Sequence, residues 1–200
     1  MTHSYNNQMA PSVHPRLDNL LASLSLNLAE ESQTALERAA GLAGSATLAL
    51  LALEEILGDA HVGRIAAVLG LTHSGAVRLV SQLEREGLVV RRSGADRRRV
   101  EVSLTPAGRR RAREAREARD AVVQQATGGL TAEEATTLEG LLAKLVAARV
   151  ASRIERRRAG ESGAFWCRTC DFAACGRPEG RCPAQATAAA LTMADNASHE

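Results

Sequence analysis

All four cysteines of this 200-residue chain fall in one stretch, AFWCRTCDFAACGRPEGRCPA, as Cys167, Cys170, Cys175 and Cys182. Their spacing is C-x2-C-x4-C-x6-C, and the first 166 residues contain none. A C-x2-C step lets two thiolates reach one ion, and two more complete the four ligands of a closed tetrahedral site. Asp171, Gly176, Pro178, Gly180 and Pro183 mark tight turns between them. That suits a small knob folded by its metal, with little core of its own. Structural zinc is the leading reading. An iron–sulfur cluster is the alternative, since four close thiolates serve either, and a thiol–disulfide switch is the third. Phe165 and Trp166, two of only four aromatic residues, are placed to pack the knob against a helix. No His or Glu constellation accompanies the thiols to act as general base, so an enzyme is not expected.

Composition frames this segment. Aromatics make up 2% of the chain while Ala and Leu dominate, a mixture that favours helix. No apolar run reaches the length of a membrane span, and the polar start MTHSYNNQMAPSVHPRLDN lacks the build of a secretory signal. The expectation is a cytoplasmic protein, where clustered cysteines more often hold metal or sense redox state than form disulfides. The net charge of +2 conceals an asymmetry: twelve arginines and only five acids lie between Arg85 and Arg119. Such a local positive field is a footprint for nucleic acid, although Arg109 to Arg119 also suits a solvated helix face.

The elements that must position these groups can be read in order. Leu17, Leu20, Leu21, Leu24 and Leu28 recur at helical spacing, and Gly41 and Gly44 interrupt the pattern before a second helix at about 45–57. Ile65, Ala66 and Leu69 share one face of a short helix that Gly70 stops. Thr72 is placed to cap the next, whose Ala76, Leu79, Val80 and Leu83 face the core. That leaves His73, Ser74, Val77, Arg78 and Gln82 outward. After Gly87 the period changes to two Val-rich runs around Ser93-Gly94-Ala95-Asp96, a hairpin tipped with arginine. Thr105-Pro106 restarts helix, Gly128-Gly129 ends it, and Thr131 with Glu134 forms a capping box for a last helix reaching about Arg158. His61 and His73 read as a helix-cap residue and a groove-facing residue rather than as metal ligands.

Two short helices, a tight turn and an arginine-tipped hairpin spell a winged helix-turn-helix, whose second helix fits the DNA major groove while the wing reaches the minor groove. The run IAAVLGLTHSGAVRLVSQLEREGLVVRRSGADRRRVEVSLTPAGRR resembles the DNA-binding core of the MarR family of bacterial transcription regulators. The recognition-helix pattern, the D-x-R wing tip at Asp96 and Arg98, and V-S-L-T-P-A-G leaving the wing carry the likeness. It implies a mainly α fold with a small β-wing and a homodimer on a pseudo-palindromic operator, most often as a repressor. It also makes Ser74 and Arg78 candidates for base or phosphate contact and puts Arg98 in the minor groove with Asp96 as its orienting partner; Thr72, His73 and Val77 on the same outward face and Arg97 in the wing complete the expected DNA-binding set. Val77 stands where members often carry threonine, and the first helix lacks the cysteine that some members use to sense peroxide.

The expected organisation is a disordered tail at 1–15 and a MarR-like domain at 16–158. Within that domain the winged helix occupies about 45–105, and dimerisation helices occupy about 16–40 and 106–158. A cysteine-rich tail follows at 159–200, metal-binding over about 165–183. The expected partners are double-stranded DNA, a second copy of the chain and a small-molecule or redox effector. A metal-dependent interaction adaptor, or a thiol or iron–sulfur redox protein with a vestigial winged helix, is the alternative.

Overall fold

The computed structural model describes residues 13–93 and 100–197. Most of the expected N-terminal tail lies outside the described residues, and so do Asp96, Arg97 and Arg98 at the wing tip. Helix α1 spans Pro15–Ala40, and α2 spans Ser45–Ala52 and runs on through a π-helical turn at Leu53–Leu57. Helices α3 (Val62–Leu69) and α4 (His73–Arg85) precede strands β1 (Val89–Ser93) and β2 (Val100–Leu104). Helices α5 (Pro106–Thr127) and α6 (Ala132–Arg158) follow, then a 3-10 turn at Trp166–Thr169 and α7 (Pro183–Ala197).

The core forms where the helical stripes converge. Leu50, Leu51, Ile65, Val80, Leu83, Leu88 and Val102 are fully enclosed and join α2, α3, α4 and the hairpin. The strands pair antiparallel with Val89 opposite Leu104, and a bridge from Ala60 to Val102 ties the hairpin to the entry of α3. Every cap read from the sequence forms. Thr72 accepts from Gly75 N at 3.1 Å, Thr105 from Gly108 N at 3.0 Å and Thr131 from Glu134 N at 3.3 Å. The Glu134 carboxylate completes the last box by accepting from Thr131 N at 2.8 Å, which holds its pKa below the ordinary value. Gly108 has a packing reason as well: a Cβ there would sit 2.1 Å from the Leu88 carbonyl oxygen. Only glycine lets α5 start this close to the wing.

Helix α1 packs along α5, and Arg111 donates to the Ala40 carbonyl at its C-terminal end at 3.0 Å. Only Leu36 and Ala40 of α1 are buried, so its N-terminal leucines stand free: Leu24 is 54% exposed. Leu141 of α6 is 52% exposed, with Leu142 and Leu145 beside it. Among the described residues no single helix is long and apolar enough to cross a membrane.

The segment after α6 departs from expectation. Phe165 and Trp166 pack against α6 as expected, but the turn-rich segment has more core than the sequence suggests. A second core gathers Val150 of α6, Cys167, Cys182 and Ala184, flanked by Val146, Ile154, Phe165, Trp166 and Phe172. Helix α7, which the sequence reading did not anticipate, packs along α6. Proline at its first position and the alanine-rich run after it were the available signals.

Candidate functional site

Helix α4 presents one face to the core and one to solvent. Ala76, Leu79, Val80 and Leu83 are buried, while Thr72, His73, Ser74, Val77, Arg78 and Gln82 are exposed. Thr72 and Ser74 hydroxyls lie 3.3 Å apart at the helix N-terminus, and Gln82 donates to Glu86 at 3.0 Å. His61 caps α3, its Nδ1 accepting from Arg64 N at 3.2 Å, as a cap-region residue should. From the wing, Arg91 folds back onto α4, paired with Glu84 and donating to Ser81 at 2.9 Å. This fixes the base of the wing against the helix it accompanies. Together they form a polar, partly cationic surface with the hydrogen-bonding groups needed to read base edges and grip phosphate.

The four cysteines come together in the second core as free thiols, Cys167 and Cys182 buried, Cys170 and Cys175 half-buried. Their charges influence one another across the cluster: Cys170 feels Cys167, Cys175 and Cys182, and Cys175 feels Cys182 and Cys167. Hydrogen bonding from Cys170, helped by the Arg177 charge, brings the Cys167 thiol down to about 7 against its burial. Cys170 is pushed up by that same hydrogen bond and by burial, and Cys175 first by burial. Among the described residues no three His, Cys, Asp or Glu side chains stand in a ready-made metal geometry. What the fold provides is the donor set: four sulfurs in one small core, all reduced, a chemistry that suits zinc or an iron–sulfur cluster.

The knob is joined to the winged helix by contacts that spacing alone could not reveal. Asp171, next to Cys170, faces Arg116 of α5 at 3.6 Å, and Arg116 also pairs with Glu55 in the π turn after α2. The second carboxylate oxygen of Glu55 accepts from Phe172 N at 3.2 Å. Arg119 donates to the Thr169 carbonyl. A hydrogen bond from Ala174 N, then the charges of Arg116 and Arg119, hold the Asp171 carboxyl below its ordinary range. Higher up, Phe165 N donates to the Val68 carbonyl of α3 at 2.7 Å, and Ala164 lies against Gly70. Gly70 sits in the turn between α3 and α4, so the knob rests on the helix-turn-helix itself. The arginines read as a solvated face therefore divide. Arg116 and Arg119 are latch residues, whereas Arg110 is exposed and merely near Glu114 at 3.8 Å.

Residues 40–99 match the model of the MarR family. Among solved structures, a MarR family protein from Bacillus stearothermophilus is 28% identical with a TM-score of 0.59, the match covering 68% of this chain and 95% of that one. The YusO protein from Bacillus subtilis is 25% identical with a TM-score of 0.58, covering 67% and 96%. CouR from Rhodococcus jostii RHA1, solved bound to p-coumaroyl-CoA, is 27% identical with a TM-score of 0.50, covering 68% and 95%. No curated protein matches. The cysteine segment lies beyond the residues that the family model matches. Winged helix, cap sequence and flanking helices agree with the fold of these MarR-family structures, and the chain is similar to MarR-family transcription regulators across its winged helix.

Proposed function

We propose that the protein is a sequence-specific DNA-binding transcription regulator rather than an enzyme. It acts in the cytoplasm as a homodimeric repressor on a pseudo-palindromic operator. The observation that carries this reading is the outward face of α4, where His73, Ser74, Val77 and Arg78 stand exposed beside a wing braced by Arg91. In this reading Thr72 and Ser74 grip phosphate at the helix N-terminus, and His73, Val77 and Arg78 address bases. Asp96, Arg97 and Arg98 extend the contact into the minor groove. The exposed leucines of α1 and of α6 support a second copy of the chain as partner, because large apolar side chains left exposed along a helix suit an interaction surface.

Cys167, Cys170, Cys175 and Cys182 would hold zinc or, alternatively, an iron–sulfur cluster. Bound there, the metal would brace the knob, and a cluster would add redox sensitivity. The latch through Asp171, Arg116 and Glu55 supports a modulating role, since it connects the residue after Cys170 to the helix before the winged pair. A small-molecule or redox effector acting on the DNA-bound state completes the proposal; the ligand in the CouR structure is a property of that relative.

Gel-shift titration with DNA from upstream of the protein's own gene tests the central claim. Binding should select an inverted repeat with half-sites about one helical turn apart and weaken steeply with salt. Equal affinity for that DNA and for random duplex would refute it.

A further inference from the structure

A cleft of about 270 Å³ lies between α6, the 3-10 turn and α7. Val150, Ile154, Phe165 and Trp166 give an apolar, partly aromatic lining, closed by Ala184 and Ala188 of α7. Arg153 and Arg157 of α6 and Arg177 also line this mainly apolar cleft. Among the described residues none of these three has a carboxylate within ion-pair distance. Nearby carboxylates are taken elsewhere: Glu161 faces Arg156 at 3.5 Å and Asp195 pairs with Arg158.

The arginines are held as if for a guest. Arg153 donates to the Ala164 carbonyl, Arg157 donates to the Gly163 carbonyl at 2.8 Å, and Arg177 stacks 4.5 Å over the Phe172 ring. A Cβ at residue 163 would come within 3.1 Å of Arg153 Nη2, so glycine there leaves room for the guanidinium. Arg153 Nε is buried with no hydrogen-bond partner, an arrangement that costs free energy unless something accepts from it. Burial and the charges of Arg157, Arg168 and Arg156 all lower the Arg153 pKa, as expected of a cation crowded among its own kind.

From the cleft's arginines, its aromatic lining and the orphaned Arg153 Nε, we infer that it is a binding site for a small phosphate monoester with an aromatic or apolar body. Arg153 and Arg157, whose charges crowd one another without a carboxylate between them, suit a dianionic, multi-oxygen group better than a monocarboxylate, because it can accept from both guanidiniums at once. The apolar lining takes the organic part. The volume is just below the range of about 300–1,000 Å³ typical of drug-sized ligands, which limits the guest to a compact molecule. Cys167 also lines the cleft and feels the Arg177 charge, so the site adjoins the cysteine cluster, while the inference does not rest on the DNA-binding reading.

Trp166 is the sole tryptophan of the chain and lines the cleft, so its fluorescence is a built-in reporter. Full-length protein is titrated with phenyl phosphate, inorganic phosphate and phenol. Phenyl phosphate should change the Trp166 emission saturably, at lower concentration than inorganic phosphate, and phenol should leave it unchanged. Arg153→Gln combined with Arg157→Gln should weaken phenyl phosphate at least tenfold, whereas Arg110→Gln on the remote face of α5 should not. Should the double variant lose its fold by circular dichroism, Arg177→Gln and the cleft-filling Ala188→Phe decide, and each should weaken binding tenfold. No saturable change, equal binding of phenol, equal binding of inorganic phosphate, or full affinity in these variants would each overturn the site.

Discussion

Replacing Gly70 with alanine separates docking of the cysteine knob from simple backbone strain. Gly70 has φ +69°, and so does Gly87, at the end of α4. A Cβ at Gly87 meets nothing within 4 Å, while one at Gly70 lands 2.7 Å from Ala164 N and 3.1 Å from Ala164 Cβ. Gly87→Ala therefore carries only the left-handed penalty of about 1–2 kcal/mol. Gly70→Ala carries the same penalty plus displacement of the Ala164–Phe165 segment. Losing the Phe165 N to Val68 O hydrogen bond costs about 1 kcal/mol. Forced separation of well-packed surfaces adds on the order of 1 kcal/mol. Urea denaturation should thus place Gly70→Ala about 3–4 kcal/mol below wild type and Gly87→Ala about 1–2 kcal/mol below it. Trp166 gives the second readout. In Gly70→Ala its emission should shift toward that of water-exposed indole before global unfolding, and in Gly87→Ala it should not. Equal stability losses with unchanged Trp166 emission would show that the knob does not depend on its seat at the helix-turn-helix.

Three further outcomes are expected. Deleting residues 1–40 should expose a leucine face and give monomer or aggregate by light scattering, and a well-behaved dimer would contradict the assigned interface. Arg98→Ala, which removes the expected minor-groove cation, should weaken operator binding by about 1–3 kcal/mol; Arg110→Ala should cost less, and equal losses in the gel-shift would sink the wing assignment. Cys170→Ser with Cys175→Ser should abolish stoichiometric zinc or iron in protein purified without oxygen, as measured by elemental analysis. Full metal in that variant, or neither metal in the wild type, would leave a thiol switch in its place.

The winged helix was legible because its signals are local. Thr72, Thr105 and Thr131 each cap the next helix through the backbone N–H three residues on, and Ala76, Leu79, Val80 and Leu83 reveal their buried face by spacing alone. The latch was not legible, because it is built across distance. Glu55 and Phe172 are 117 residues apart, and nothing about Arg116 in an arginine-rich helix separates it from Arg110 until the fold brings Asp171 to it. Burial then decides: the Arg116 side chain is 14% exposed and the Arg110 side chain 62%. The same divide explains the knob. Four thiols at knuckle spacing point to metal, yet the spacing says nothing of Val150, Phe165 and Trp166 closing a core around them. That core changes what metal loss should do. A segment ordered by metal alone would unfold when stripped and leave the winged helix untouched. A segment with its own apolar packing, latched through Arg116 and seated at Gly70, should instead loosen in place, and its loosening should be felt at the turn into α4. Hydrogen exchange of stripped protein distinguishes the two. Faster exchange confined to residues beyond 160 would mean that the knob is a passenger, and faster exchange extending to Leu71 and the first turn of α4 would mean that it is coupled to the DNA-facing helix.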